Sequence, residues 1–301
     1  MKSGYTSNPF FYVFVLLFAM LSIQSGATLA KILFARLNPE GVTTLRLVFA
    51  TLILCLIVRP WTAKITWAQV KQIAPYGIVL GAMNLTFYIA LQRIPLGIAV
   101  ALEFIGPLGV ALYLSRSFKD LIWVTFAVVG IGLFLPLGDS VAAPLDLTGV
   151  IFALLAGVCW GLYIIFGQKA GVGLSSGVVA TLGMGFATLT VLPFGIYFAG
   201  SALLDVSLWP IGLAVGVFSG ALPYTLEMVA LKKLPRKTFS VLMSLEPSIA
   251  ALSGLVFLKE LLTPLQCLAI ALVIVASIGT TLSVKKAVQE IDDKKVPPLI
   301  D

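Results

Sequence analysis

Long apolar segments follow one another along almost the whole chain, and they limit what it can fold into. A helix needs about 20 consecutive apolar residues to cross the hydrocarbon layer of a membrane. Charged residues make up only 11% of the chain, against roughly 25% in soluble domains. The sequence therefore predicts an all-α integral membrane protein with ten transmembrane helices. The predicted spans are 10–30, 41–58, 74–92, 96–115, 120–138, 147–168, 177–198, 208–230, 238–257 and 263–283.

Two other interpretations of these segments fit less well. The segments are too long and too evenly apolar for the strands of a membrane β-barrel. The first one, "FFYVFVLLFAM" at 10–20, follows Lys2 and precedes "SGATLAK", a pattern typical of cleaved signal peptides. Apolar residues resume at once in "ILFA", however, and we expect the segment to be retained as the first transmembrane helix.

The basic residues are distributed unevenly between the two predicted sides of the membrane. If the N-terminus lies inside, 15 of the 20 Lys and Arg residues fall on the inner side. By the positive-inside rule both termini are then cytoplasmic. The net charge of +7 therefore reflects topology rather than a nucleic-acid partner. The inner basic residues are Lys2, Arg59, Lys64, Lys71, Arg116, Lys119, Lys169, Lys232, Lys233, Arg236, Lys237, Lys285, Lys286, Lys294 and Lys295.

The second half of the chain repeats part of the first. Residues 90–121 align without a gap on 230–261, and the identities include Pro95 with Pro235 and Pro107 with Pro247. The segments "FKDL" and "LKEL" also coincide at a shift of 140 residues.

We therefore predict two five-helix repeats, at 8–138 and 147–284, followed by a mobile cytoplasmic tail at 285–301. An odd number of spans per repeat inverts the second relative to the first. Inverted repeats are frequent in secondary transporters, whose substrate site lies near the midplane of the membrane.

Three stretches resemble a known family. The stretch "LMSLEPSIAALSGLVFLKELLTPLQCLAIALVIVAS" at 242–277 resembles the end of an EamA-type repeat of the drug/metabolite transporter superfamily. "FYIALQRIPLGIAVALEFIGPLGVAL" at 87–112 and "LPYTLEMVALKKLP" at 222–235 are similar to bacterial inner-membrane exporters of threonine and homoserine in that superfamily. The resemblance implies ten spans around a central cavity, and export of small neutral amino acids driven by the proton gradient. It implies neither an enzyme nor a cofactor.

Three carboxylates interrupt the apolar spans. Glu103, Glu227 and Glu246 lie well inside predicted helices, where a charge costs at least about 2.5–3.5 kcal/mol. We expect them to face a polar cavity, with Glu103 and Glu246 at the same level from opposite halves. In the alternative, Glu246 has a structural role beside Pro247, which frees a backbone carbonyl one turn back.

A zwitterionic amino acid in such a cavity needs an anion for its ammonium group and donors for its carboxylate. Arg46 could bind the carboxylate through two hydrogen bonds, and Lys31 is a second cation. Both lie near predicted span ends, however, and could instead extend to the membrane interface. The polar residues Gln24, Asn84 and Tyr224 are further candidates.

Four aromatic residues are candidates to line the cavity, although aromatic residues at helical spacing more often pack than bind ligands. They are Tyr88, Trp160, Tyr163 and Tyr224. Glu260 and Asp120 follow lysines at predicted turns, where we expect them to be solvated.

No other chemistry has a clear set of residues. The chain has no histidine, so proton transfer near neutral pH would fall to carboxylates. Cys55, Cys159 and Cys267 have spacings of neither a metal site nor a disulfide framework and are expected to be buried packing residues. An intramembrane enzyme, a scaffold without transport, and an exporter of other metabolites or cationic drugs remain as alternatives. The expected partners are the substrate, protons and the lipid bilayer, with the protein a monomer or a homodimer.

Overall fold

A computed structural model describes residues 9–114, 121–134, 145–170, 173–223, 226–227, 230 and 242–295. Throughout these ranges the regular elements are helices, which satisfy their own backbone polar groups as a membrane requires. The α-helices are α1 Pro9–Leu33, α2 Pro39–Val58, α3 Trp67–Arg93, α4 Leu96–Glu103, α5 Ile105–Leu114, α6 Leu121–Phe134, α7 Leu147–Lys169, α8 Ser176–Ala199, α9 Trp209–Gly216, α10 Glu246–Leu258 and α11 Pro264–Lys295. Short 3-10 turns lie at Pro60–Thr62, Gly200–Leu204 and Val206–Leu208, and α9 continues as a π-helical turn, Val217–Ala221.

The helices confirm the all-α prediction. Five are long and apolar enough to cross a membrane: Phe10–Leu33, Pro39–Val58, Trp67–Arg93, Leu147–Gly167 and Ser176–Leu204. Five shorter apolar helices are Leu96–Val110, Ile122–Leu133, Val206–Ala221, Glu246–Leu258 and Pro264–Gly279. Each predicted span overlaps one of these ten helices, while the number of crossings stays a prediction.

Side chains next to the helix starts explain where several helices begin. The Asn38 side chain accepts a hydrogen bond from the backbone of Gly41 at 2.9 Å, which caps α2. Thr66 and Gln69 form a reciprocal capping box at the start of α3. Such residues satisfy backbone N–H groups that have no partner within the helix.

Asp146 caps α7 and joins it to the end of α3. Its carboxylate accepts a hydrogen bond from the backbone of Thr148 at 2.8 Å and pairs with Arg93 at 2.9 Å. The hydrogen bond from the Arg93 guanidinium holds the pKa of Asp146 below its usual value, with help from the backbone of Thr148 and Gly149. The carboxylate therefore stays charged at the start of the helix, where the dipole favours an anion.

Two predicted spans are interrupted at mid-length, which corrects the expectation of continuous helices. In the span predicted at 96–115, α4 ends at Glu103 and α5 begins at Ile105. In the span predicted at 238–257, a turn at residues 244–245 precedes α10. Each interruption lies shortly before a proline, Pro107 or Pro247, whose missing N–H removes a helical hydrogen bond. The two interruptions are 140 residues apart, the same shift that aligns the repeated sequences.

The helices of the first half pack chiefly on those of the second. Helix α3 lies against α7 and α8, and α2 packs on α8 and α9. Helix α1 contacts α9 and α10, while α4 contacts α7 and α10. Helix α6 packs on α11. The polar residues in the middle of the molecule are therefore contributed by both halves of the chain.

Glycines allow the closest of these contacts, because small residues let the backbones of membrane helices approach each other. A Cβ atom at Gly106 would overlap the backbone carbonyl of Gly157 in α7. A Cβ atom at Gly26 would lie only 2.6 Å from the Cβ atom of Ser219. Helix α5 thus meets α7, and α1 meets the π-helical turn, almost backbone to backbone.

An ion pair links the helix ends on one side of the bundle. Lys31 Nζ lies 2.5 Å from Glu260 Oε1 and donates to the carbonyl of Ile94 at 2.9 Å. The other Glu260 oxygen accepts from the backbone N–H of Leu96 at 2.8 Å, which caps α4. The side chains of Lys31 and Glu260 are only 21% and 14% exposed. The expectation that Glu260 is a solvated residue is therefore wrong, and Asp120 lies outside the described residues.

Two further expectations need correction. Helix α11 runs to Lys295, so the first eleven residues of the predicted tail, 285–295, are helical. Cys267 is exposed rather than buried, because it lies on the outer face of α11, while Cys55 and Cys159 are partly buried. All three cysteines are free.

The contact of Gly106 predicts a site where one methyl group destabilises the bundle. We expect Gly106→Ala to lower the free energy of unfolding by about 1–3 kcal/mol, because the added carbon overlaps a backbone carbonyl. Gly109→Ala in the same helix is the matched control, since its Cβ atom would have nothing within 4 Å. Thermal unfolding of the purified protein in detergent would measure both, and equal midpoints for the two variants would contradict the packing described.

The link between Lys31 and Glu260 predicts a measurable coupling energy. Lys31→Met, Glu260→Gln and the double variant form a cycle in which we expect about 1–2 kcal/mol of coupling, because the pair is largely shielded from water. The pair of Arg93 and Asp146, 41% and 36% exposed, serves as the control and should give about 0–1 kcal/mol. Unfolding titrations in mixed micelles would measure both, and coupling no larger for the shielded pair would contradict this view.

Candidate functional site

A group of buried polar side chains lies where α1, α2, α3, α4 and α10 meet. None of its members is more than 8% exposed. We call it the polar cluster, and it consists of Gln24, Arg46, Asn84, Tyr88, Glu103 and Glu246. Of these residues, five were predicted site residues and Tyr88 was a candidate lining residue.

The helix interruptions place the two carboxylates in the cluster. Glu103 is the last residue of α4, and Glu246 is the first residue of α10. Helix α4 packs on α10, and both glutamates are buried. The structure thus brings Glu103 and Glu246 from opposite halves into one site, as the repeat alignment predicts.

Arg46 is held in the middle of the bundle by three groups. Its guanidinium donates to the Asn84 side-chain oxygen and, at 2.6 Å, to the backbone carbonyl of Ser219. It also lies over the ring of Tyr88, 5.3 Å from the centroid. Asn84 is oriented by donating to the carbonyl of Leu80 at 2.8 Å. The alternative in which Arg46 extends to the membrane interface is therefore wrong.

The backbone carbonyl that receives Arg46 belongs to the π-helical turn. Hydrogen bonding in a π-helical turn runs from i to i+5, which shifts the carbonyls relative to a regular α-helix. Ser219 lies in this turn, and its own hydroxyl donates to the carbonyl of Val215 at 2.7 Å. Sequence analysis did not identify Ser219, because its role depends on the backbone carbonyl and not on its side chain.

Gln24 joins α1 to the carboxylates. Its amide nitrogen donates to Glu246 Oε1 at 3.4 Å, a long hydrogen bond. Both residues are buried, and they come from opposite halves of the chain. The side-chain amide therefore bridges the two halves at the level of Glu246.

Four buried polar atoms of the cluster have no hydrogen-bond partner in the part of the chain that the structure describes. They are Gln24 Oε1, Arg46 Nε, Tyr88 Oη and Glu246 Oε2. Buried polar atoms are nearly always paired in proteins, and those left over ask for a bound molecule or water. The cluster can therefore offer a bound molecule one hydrogen-bond donor, two acceptors and one hydroxyl group that both donates and accepts.

Other predicted site residues lie at the edge of the cluster or beyond the described residues. The charge of Glu227 acts electrostatically on Glu246, and Glu227 is partly buried. Trp160 packs edge to face on Phe104, with 5.5 Å between ring centroids, next to Glu103. Tyr224 lies outside the residues that the structure describes.

Two candidates lie elsewhere. Lys31 pairs with Glu260 at the helix ends, so it neither joins the cluster nor extends freely to the interface. Tyr163 packs on Tyr76, with 3.2 Å between the hydroxyl oxygens and 4.9 Å between the ring centroids. Both residues thus have partners that no local sequence pattern identifies.

The cluster combines side chains of opposite charge. Among the described residues, no three His, Cys, Asp or Glu side chains are placed to hold a metal ion. A guanidinium and two carboxylates instead offer opposite charges to one bound molecule. Such a site suits a ligand that carries both a positive and a negative group.

Comparisons with known proteins agree with a transport role. A profile described as "EamA-like transporter family" matches residues 147–282. The chain is 50% identical over 282 residues to "Threonine/homoserine exporter RhtA" of Escherichia coli K12, covering 93% of this chain and 95% of that protein. It is 50% identical over 277 residues to the protein of the same name from Salmonella typhimurium LT2, covering 92% and 93%. An "Uncharacterized transporter" of Clostridium kluyveri is 26% identical over 159 residues, covering 50% and 49%.

A solved crystal structure shares the fold. It superposes with a TM-score of 0.58 and covers 93% of this chain and 100% of its own, at 19% sequence identity. The relatives that have names are transporters and not enzymes. The match of the family profile and the 50% identity over nearly the whole chain show that the protein is a membrane transporter that belongs to the EamA-like transporter family.

Proposed function

We propose that this protein exports threonine and homoserine from the cytoplasm across the bacterial inner membrane, by proton antiport with alternating access. The observation that carries this proposal is the buried cluster to which α2, α4 and α10 contribute Arg46, Glu103 and Glu246. The relatives at 50% identity are named as exporters of these two amino acids. Both facts point to a small zwitterion as the substrate.

The charges of the cluster complement those of an amino acid. Among the described residues Arg46 Nε has no partner and could donate to the substrate carboxylate, and Glu246 Oε2 has none and could accept from the substrate ammonium group. Bound in this way, the substrate replaces water for both charges, which is necessary inside the membrane. A monomer suffices for this arrangement, since all of these residues belong to one chain.

The packing of the helices supports two inverted repeats, 8–138 and 147–284, with ten crossings. In the two repeats α1 corresponds to α7, and α3 corresponds to α9. The contact of α3 with α7 therefore has an equivalent in the contact of α9 with α1, and both contacts are present. Helix α4 likewise corresponds to α10, and the contact of α4 with α7 has its equivalent in the contact of α10 with α1. Alternating access in such folds is a rocking of one repeat against the other around a fixed central site.

Proton coupling would follow from competition at the carboxylates. A protonated Glu246 or Glu103 no longer attracts an ammonium group, so protons arriving from outside would release the substrate outward. Loss of the protons to the cytoplasm, where both termini lie in this scheme, would restore binding. The chain has no histidine to take this role.

The charges of the polar cluster also bear on the alternative functions, which are export of cationic drugs, a scaffold without transport and export of another metabolite. A cationic drug would meet the buried positive charge of Arg46, which opposes its binding. A scaffold without transport would gain nothing from burying three charged side chains, each of which costs free energy in a membrane. Another metabolite with separated charges fits the site and is the remaining competitor for the substrate.

The carboxylates provide the first test. In proteoliposomes with an imposed pH gradient, we expect movement of labelled threonine and homoserine to fall about tenfold or more in a Glu103→Gln/Glu246→Gln double variant, because the ammonium group loses its anions. Glu40→Gln, at the start of α2 and outside the cluster, is the control and should keep wild-type transport. Full gradient-driven export by the double variant would rule out the coupling scheme.

Arg46 provides a test of carboxylate binding. We expect Arg46→Lys to raise the KM for threonine about tenfold, because lysine keeps the charge but loses the planar fork of donors and the stacking on Tyr88. Arg36→Lys, at an exposed position beyond the end of α1, should leave the KM unchanged. An unchanged KM for Arg46→Lys would remove Arg46 from the substrate site.

A further inference from the structure

Tyr88 has a buried hydroxyl group that its packing does not use. Its side chain is 1% exposed and is among the largest fully buried side chains described. The ring contacts Phe34 and Phe87 edge to face, with centroids 6.1 Å and 6.0 Å apart, and the Arg46 guanidinium covers it. A phenylalanine would make all of these contacts equally well. The hydroxyl, however, has no partner among the described residues, whereas buried tyrosines usually have one.

The other unpartnered atoms of the polar cluster indicate which group of a ligand this hydroxyl could bind. Arg46 Nε is a donor and matches a carboxylate, while Glu246 Oε2 and Gln24 Oε1 are acceptors and match an ammonium group. These three atoms account for the charged groups of any amino acid. The Tyr88 hydroxyl is left over, and it both donates and accepts, which is the complement of another hydroxyl.

The cluster is continuous from Tyr88 to the carboxylates. Tyr88 lies under the Arg46 guanidinium, and α3, which carries Tyr88, contacts α4, which ends at Glu103. Helix α4 in turn contacts α10, which begins at Glu246, and the Glu246 carboxylate accepts a hydrogen bond from Gln24. A single small molecule in contact with Arg46 is therefore also next to Tyr88.

From these observations we infer that Tyr88 determines specificity by hydrogen-bonding the side-chain hydroxyl of the substrate. The inference rests on the proposed function, and it explains a property that the charges alone do not supply. Arg46, Glu246 and Gln24 bind every amino acid alike, whereas the Tyr88 hydroxyl favours those with a hydroxyl. Valine has the shape of threonine without its hydroxyl, and norvaline has that of homoserine. A site with a buried polar group disfavours such analogues, since the group would stay unpaired.

The test compares these pairs in proteoliposomes that contain the full-length protein. For the wild type we expect kcat/KM for threonine to exceed that for valine about 100-fold, with a similar ratio for homoserine over norvaline. In Tyr88→Phe both ratios should fall at least about tenfold, with most of the loss on the hydroxylated substrates. The ring and its contacts are kept in this variant, so folding should be unaffected, and the midpoint of thermal unfolding would verify it.

Tyr76→Phe is the matched control. Tyr76 lies on the same helix and is also buried, but its hydroxyl donates to Tyr163 rather than facing the cluster. Its substitution should leave both substrate ratios at the wild-type value. A Tyr88 with a purely structural role would give equal losses for hydroxylated and apolar substrates and an unchanged ratio.

The outcomes separate this inference from the proposed function. If the wild type moves threonine but Tyr88→Phe keeps the wild-type ratio, the inference is overturned and the export function stands. A wild type that moves valine as well as threonine also overturns the inference alone. If the wild type moves neither threonine nor homoserine, both proposals fall together.

Discussion

The burial of one guanidinium is the constraint on which the centre of the molecule depends. A cation in the middle of a membrane is costly unless its donors are satisfied. Two of the three Arg46 guanidinium nitrogens find partners where α2, α3 and the π-helical turn come together, namely the Asn84 side chain and the carbonyl of Ser219, and the guanidinium lies over the ring of Tyr88. The close approach of α1 to that turn at Gly26 helps to fix the turn in place. The fold and the site are therefore stabilised by the same contacts.

Two prolines lie next to the helix interruptions that position Glu103 and Glu246. The helix interruptions before Pro107 and Pro247 put a glutamate at a helix end in each half of the chain. Because helices of the first half pack on those of the second, these residues meet in the interior rather than facing lipid. Gln24 then joins α1 to Glu246. The polar cluster is thus built by both halves of the chain, which the proposed alternating-access cycle would move relative to each other.

The opposite charges of the cluster are incompletely paired, which distinguishes it from a structural ion pair. Lys31 and Glu260, at the helix ends, pair with each other. Lys31 also donates to the carbonyl of Ile94, and Glu260 accepts from the backbone N–H of Leu96 at the start of α4. Arg46 and Glu246 each keep an unpaired polar atom in the interior described by the structure. Unused hydrogen-bonding capacity in a buried site stabilises a ligand of complementary chemistry, at the expense of the empty protein.

The sequence alone determined the helical membrane class, the positions of the apolar segments and the three glutamates within them. Each of these follows from the free energy of placing a residue in hydrocarbon, which depends on the residue itself and its near neighbours. Only the tertiary structure decided which residues the buried charged side chains contact. Lys31 and Arg46 are equivalent in sequence, as cations near span ends, yet one pairs at the helix ends and the other is buried. Successive helical residues point about 100° apart, and which direction faces the interior depends on the packing of helices that lie far apart in the chain.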